Sequence, residues 1–354
     1  MLLFILVMAT VILFVPGITA AKVKQSAWLV PLFLPVLTGF TTIWTAWKLG
    51  QRFPQHTLVQ YSVVLLGKAA GKLVAGAYIL FFLVLNVLVI REFSQFLTLT
   101  MLLKTPAYIL NVAIVLVGGY VAAKGIEVVA RMTQFILPLF AVGTLFIFVL
   151  AIPSMEPGKL LPLLEGGVLP IIRGSVTPAS WYGEVIVLVM LLPAVNKPRE
   201  AKSRCFLAIL AVAGFLSVDI LITLGVYGPE LTGYFRFPFW VVAKYIEYSN
   251  YLQRVESVVA VLWITGMTIK VALVSYVIAL STAQVLGLTA YRPVLYPLAL
   301  VQIIAAGYPL INMAALDEIL DQYWPPFALL FELILPLVLL LVALIRRKRR
   351  EGPP

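Results

Sequence analysis

The chain has one cysteine, Cys205, and one histidine, His56, among its 354 residues. One cysteine excludes an internal disulfide, and one histidine excludes a metal centre built from several of them. A His-based catalytic triad is disfavoured as well, because His56 falls in a polar connector. Walker A, GxSxG, HExxH and CxxC patterns are all missing, and so is a nucleophile–base pair for an intramembrane hydrolase or transferase. The sequence reads as a non-enzyme without metal or cofactor. Charge is scarce too, at 12% against roughly a quarter in soluble domains.

Apolar residues fill that space. They make up 62% of the chain, and the mean hydropathy is +1.05. This is the composition of an all-α integral membrane protein with no large soluble domain. The net charge of +11 does not indicate nucleic acid. The cations cluster at the ends of apolar segments, where they set topology and meet anionic headgroups of the lipid bilayer.

A membrane-spanning helix needs about 17–25 apolar residues. Ten segments qualify, at roughly 2–20, 28–47, 73–103, 107–122, 132–153, 177–194, 205–227, 256–286, 293–312 and 326–345. The first reads as a retained helix rather than a cleaved leader, because no cation precedes Lys22. With both termini cytoplasmic, inner connectors and tail hold about twice as many cations as the outer ones. They include Lys48, Arg52, Lys68, Lys72, Lys197, Arg199, Lys202, Arg204 and the basic tail 346–354. The inner connector from Lys48 to Lys72 has room for a short interfacial helix. The outer one from Ser154 to Val176 reads as a re-entrant or surface-lying segment. An aromatic band including Tyr234, Phe235, Trp240, Tyr245, Tyr248 and Tyr251 suits the outer interface.

Ten spans allow a five-plus-five inverted repeat within one transmembrane domain, repeat one over about 1–153 and repeat two over about 177–345. The first member of each half carries helix breakers, Pro16-Gly17 in one and Pro178 with Gly183 in the other. The expected architecture is LeuT-like, with helices 1 and 6 broken.

Ionisable residues inside these segments are functional candidates by default. Glu184, in Trp181-Tyr182-Gly183-Glu184, is the most conspicuous. It either contacts a ligand ammonium or carries a proton, or it is the structural partner of Lys270 or Arg91. Lys270 either supplies a fixed ammonium in place of a sodium ion or moves a proton, or it locks helices together with a carboxylate, and in each case it needs acceptors. Arg91 and Glu92 are neighbours and point about 100° apart on a helix. Anchoring suits Arg91, and Glu92 stays open. Asp219 reads as interhelical glue. Glu332 falls in the outer part of the tenth segment. In the first segment, unwinding around Ala9, Thr10, Val11 and Ile12 would free backbone groups for a carboxylate; the alternative is a continuous, proline-kinked helix.

The order of several short motifs resembles the B subunit of spore germinant receptors, the endospore germination permease family of the amino acid–polyamine–organocation superfamily. The motifs are Ile12-Leu13-Phe14-Val15-Pro16, Arg52-Phe53-Pro54, Leu66-Gly67-Lys68 with Gly71-Lys72, and Arg91-Glu92-Phe93. Further on come Leu161-Pro162, Gly166-Gly167, Pro170 and Gly174, then Gly183-Glu184 and Pro193, then Arg254-Val255-Glu256, Trp263 and Ile269-Lys270. The resemblance runs almost end to end.

It implies ten helices in an inverted repeat, residence in the spore inner membrane, and assembly with an A subunit and a C lipoprotein subunit. It also implies a small nutrient, often an amino acid, bound in a cavity lined by Ala9 to Ile12, Tyr182 to Glu184 and parts of helices three and eight. Where transporters of the superfamily often carry Gly-x-Gly, this chain has Ala9 and Val11, whose side chains narrow close backbone approach to a carboxylate. Three functions compete: a germinant sensor, a proton-coupled amino acid or amine transporter, and a scaffold for partner subunits.

Overall fold

The computed structural model describes residues 1–196, 198–246, 254–308 and 313–346. Lys197, Tyr248, Tyr251 and the tail beyond Arg346 lie outside the described residues. The elements are helical throughout: α1 (Leu2–Val23), a 3₁₀ stretch (Lys24–Leu32), α2 (Leu34–Arg52), α3 (Leu58–Leu66), α4 (Lys68–Thr100), α5 (Ala107–Lys124) and α6 (Ile126–Ala151). After short 3₁₀ turns come α7 (Leu169–Gly174) and α8 (Val176–Gly183), a 3₁₀ stretch (Glu184–Val187), α9 (Leu188–Leu191), α10 (Pro198–Tyr234) and α11 (Pro238–Tyr245). The chain closes with α12 (Glu256–Leu286), α13 (Arg292–Ala306), α14 (Met313–Glu318), α15 (Trp324–Leu329) and α16 (Leu335–Ile345). Single π-helical turns at Ile319–Tyr323 and Leu330–Ile334 join the last three.

Among the described residues, 8 helical stretches are long and apolar enough to cross a membrane. This is a multi-pass membrane protein. The count differs from ten for two reasons. The 3₁₀ stretch at Lys24–Leu32 joins the first two expected segments into one helical run, Leu2–Arg52. The expected ninth segment is only 15 residues long as α13. At 1.5 Å per residue that is roughly 22 Å, short of the hydrocarbon thickness.

The chain divides into two compact units, and the divisions fall within or at the ends of helices. The first comprises 1–39, 132–182 and 207–267. Its centre is α1, apolar on every face and buried over nearly its whole length, as a helix without a polar side must be. Phe4 meets Phe140 and Phe215 edge-on, and Phe14 meets Phe237.

The expected break in the first helix is not present. α1 continues as one α-helix through Pro16. Proline removes one N–H from the ladder but does not force unwinding. The Thr19 hydroxyl donates to the Val15 carbonyl at 2.8 Å, beside the proline. Opening the helix in this apolar packing would strand several backbone groups without water.

The second unit comprises 40–131, 183–206 and 268–354. Thr57 and Gln60 form a capping box that starts α3. Gly67, at φ 88°, then turns the chain into α4, a conformation that costs glycine least. An aromatic stack holds α4 to the last helices: the Phe81 ring lies on Trp324 at 5.7 Å and on Phe331 at 5.0 Å. That stack positions the residue next to Phe331, which is Glu332.

Candidate functional site

The helix carrying Glu184 changes its winding at that residue. α8 ends at Gly183, and Glu184–Val187 form a 3₁₀ turn before α9 resumes. The expected break in helix 6 therefore takes the form of a tightened turn, not an unwound loop. Mid-helix 3₁₀ and π turns often mark functional positions because they re-aim side chains and disturb the regular hydrogen-bond ladder. Here both kinds occur together. Glu184 lies in the 3₁₀ turn and Glu332 in the π turn Leu330–Ile334.

Within the second unit, Lys270 of α12 places its Nζ 2.6 Å from Glu184 Oε2, and both side chains are completely buried. This is a charge-assisted hydrogen bond in a water-poor setting, where losing either partner leaves a costly lone charge. Glu184 Oε1 has no hydrogen-bond partner among the described residues.

Glu332 is the third member, and the sequence reading assigned it no role. It is completely buried. Neither carboxyl oxygen has a hydrogen-bond partner among the described residues. Its π turn packs against the 3₁₀ turn of Glu184, within the same unit as Lys270. The bare face of Gly183 makes room for it. A β-carbon at Gly183 would overlap Glu332 Oε2 and come within 2.6 Å of Glu332 Cδ. The backbone around Glu332 is tied from two sides. The Thr42 hydroxyl donates to the Glu332 carbonyl at 3.2 Å, and the Tyr78 hydroxyl donates to the Phe331 carbonyl at 2.9 Å. The signal in the sequence was the same one that singled out Glu184, an acid within an apolar run. What hid Glu332 was its apparent position towards one end of its segment.

The remaining candidates separate. Arg91 Nη1 donates to the carbonyl of Ala306, the last residue of α13, at 2.8 Å, and Asn111 Nδ2 donates to the same oxygen at 3.2 Å. A cation on a helix C-terminus is favourable. Arg91 is thus engaged with a helix end rather than with a carboxylate. Glu92 is buried. Asp219, in the first unit, is completely buried, and neither of its carboxyl oxygens has a hydrogen-bond partner among the described residues.

Ala9, Thr10, Val11 and Ile12 are buried in the continuous α1. Ala9 Cβ packs on Gly266, where a β-carbon would lie 3.4 Å away, and Thr10 donates to its own helix at Val7. Their backbone groups belong to the helix and form no open carboxylate cradle. Tyr182 is completely buried, with no hydrogen-bond partner for its hydroxyl among the described residues.

A multi-pass helical membrane protein that buries two acids at irregular helical turns, one of them paired with a buried lysine, has a polar site inside an apolar bundle, the class expected of transporter-like receptors and carriers. The sequence places it further. The family model described as "Spore germination protein" matches residues 1–312, and the chain belongs to that family, the B-subunit family of spore germination proteins. It is similar to spore germination protein KB of Bacillus subtilis (strain 168), with 26% identity over 346 residues, 96% of this chain and 91% of the relative. It is also similar to the putative spore germination protein YfkT of the same organism, with 25% identity over 330 residues, 92% of this chain and 89% of the relative. Spore germination protein XB of Bacillus anthracis is 22% identical over 200 residues, 56% of each chain.

Proposed function

We infer that this chain is the membrane subunit of a spore germinant receptor, which binds a small, amino acid-like nutrient within the membrane and thereby triggers germination. Family membership supports the germination role, and the buried Glu184–Lys270 pair at the 3₁₀ turn is the observation that carries the site. An acid and an ammonium at one place match a zwitterion: the ligand amine competes for Glu184 and the ligand carboxylate for Lys270. Exchange of an internal ion pair for a ligand pair is a differential contact, which is what a ligand needs to shift a conformational equilibrium. Gly183 and Tyr182 flank that turn. The ten-helix inverted repeat, the spore inner membrane, cytoplasmic termini, and assembly with an A subunit and a C lipoprotein subunit belong to the same reading.

Proton-coupled transport is the second reading. The carboxyl group of Glu332, with no hydrogen-bond partner among the described residues, lies beside the pair and favours it, since carriers of this kind move protons on buried acids.

The test uses spores in which this chain and its partner subunits form the responding receptor. Glu184→Gln removes a charge while keeping shape. A charge-assisted contact contributes about 1.5–3 kcal/mol, so the nutrient concentration for half-maximal germination is expected to rise about tenfold or more. An unchanged dose–response with normal protein levels would sink the site assignment. Accumulation of substrate by the chain alone in proteoliposomes would decide for transport.

A further inference from the structure

The cluster has an odd charge count. Fully ionised, Glu184, Glu332 and Lys270 would place two negative charges and one positive charge in a region without solvent exposure. Burying an uncompensated charge costs several kcal/mol, and a group in that position neutralises instead. The ammonium is committed to Glu184 at 2.6 Å. Glu332, whose two oxygens have no hydrogen-bond partner among the described residues and whose side chain is pressed on Gly183, is the group left to neutralise.

Among the described residues, the other groups around Glu332 supply no further positive charge. Tyr78 of α4 faces it, with Tyr61 of α3 acting on Tyr78 in turn, and Thr42 of α2 reaches only its main-chain carbonyl. α16 carries no ionisable residue. The charged neighbours acting on Glu332 are therefore Glu184 and Lys270.

We propose that Glu332, Glu184 and Lys270 form a proton site in which Glu332 holds one proton, and that its release lets Glu332 compete with Glu184 for the Lys270 ammonium. On release the Glu332 carboxyl group gives its H⁺ to solvent water, forming hydronium, and the site goes from neutral to a single negative charge. Because Glu184 sits on a 3₁₀ turn and Glu332 on a π turn, proton occupancy selects which irregular segment the α12 lysine holds. Two alternative pairings of one ammonium make a two-state element that protonation biases. The proton site does not require that a nutrient bind there.

Infrared spectroscopy of the purified full-length chain in lipid nanodiscs, without nutrient, reads the proton directly. At neutral pH the wild type is expected to show the carbonyl stretch of a protonated carboxylic acid. Glu332→Gln is expected to remove a component equal to one carboxyl group, while Asp219→Asn leaves that component in place. If E332Q does not fold, uniform ¹³C-glutamate labelling of the Glu92→Gln chain confines a shifted protonated-acid band to the buried glutamates Glu184 and Glu332, because it shifts glutamic but not aspartic acid bands. The proposal is overturned if folded E332Q keeps the full protonated-acid absorption, or if labelling shifts no protonated-acid band.

Discussion

The carboxyl group of Glu332 occupies the space that a β-carbon on Gly183 would need. A glycine in the helix before Glu184 and an acid in a π turn near the other end of the chain are thus fitted to each other. Gly183→Ala forces the Glu332 side chain, whose Cβ would lie 3.0 Å from the new methyl, to move. Overpacking of this kind costs about 1–3 kcal/mol. Thermal unfolding of the detergent-solubilised protein should show the loss, and Glu332→Ala in the same chain should recover it. A double-mutant cycle with no coupling between the two sites would contradict the fit.

The Lys270–Glu184 pair should behave as a buried pair does. Lys270→Met leaves the Glu184 carboxylate without its cation, at a cost of about 3–5 kcal/mol. The double variant Lys270→Met with Glu184→Gln removes both charges and is expected to be more stable than Lys270→Met alone. Yield and melting temperature after solubilisation check the order. Equal stability of the two variants would mean that the pair is not what compensates Glu184.

Arg91 is predicted to matter through the C-terminus of α13. Arg91→Ala removes the donor to the Ala306 carbonyl and leaves that oxygen with Asn111. A hydrogen bond from a charged donor contributes about 1.5–3 kcal/mol. Hydrogen exchange should therefore rise in the last turn of α13 more than around Glu184. Uniform exchange across both regions would place Arg91 in the central cluster instead.

Two glycines of α4 make an internal control. A β-carbon on Gly71 would meet the backbone of α3, with the Ser62 carbonyl oxygen at 2.7 Å, and backbone cannot step aside. Gly71→Ala is expected to abolish folded protein. Gly76 faces open space, and Gly76→Ala should be neutral or stabilising by about 0.5–1 kcal/mol through helix propensity. Fluorescence-detected size exclusion of the two variants separates them at once.

Hydropathy is a local property of the chain, so the sequence by itself determined the membrane class, most helix positions, and the exceptional status of Glu184 and Lys270. Ordered motifs such as Arg91-Glu92-Phe93 and Gly183-Glu184 likewise carried the family, since residue order needs no coordinates. Partner choice is different in kind. That Lys270 takes Glu184, that Arg91 takes a helix end, and that Glu332 joins the pair by filling the space beside Gly183 depend on contacts between residues distant in sequence. The continuity of α1 through Pro16 was also undecidable from breakers alone, because proline only removes one hydrogen bond. Packing around the helix set the cost of opening it. The form of the break after Gly183, a 3₁₀ turn, and the π turn that carries Glu332 arose the same way, as local windings adjusted to tertiary contacts.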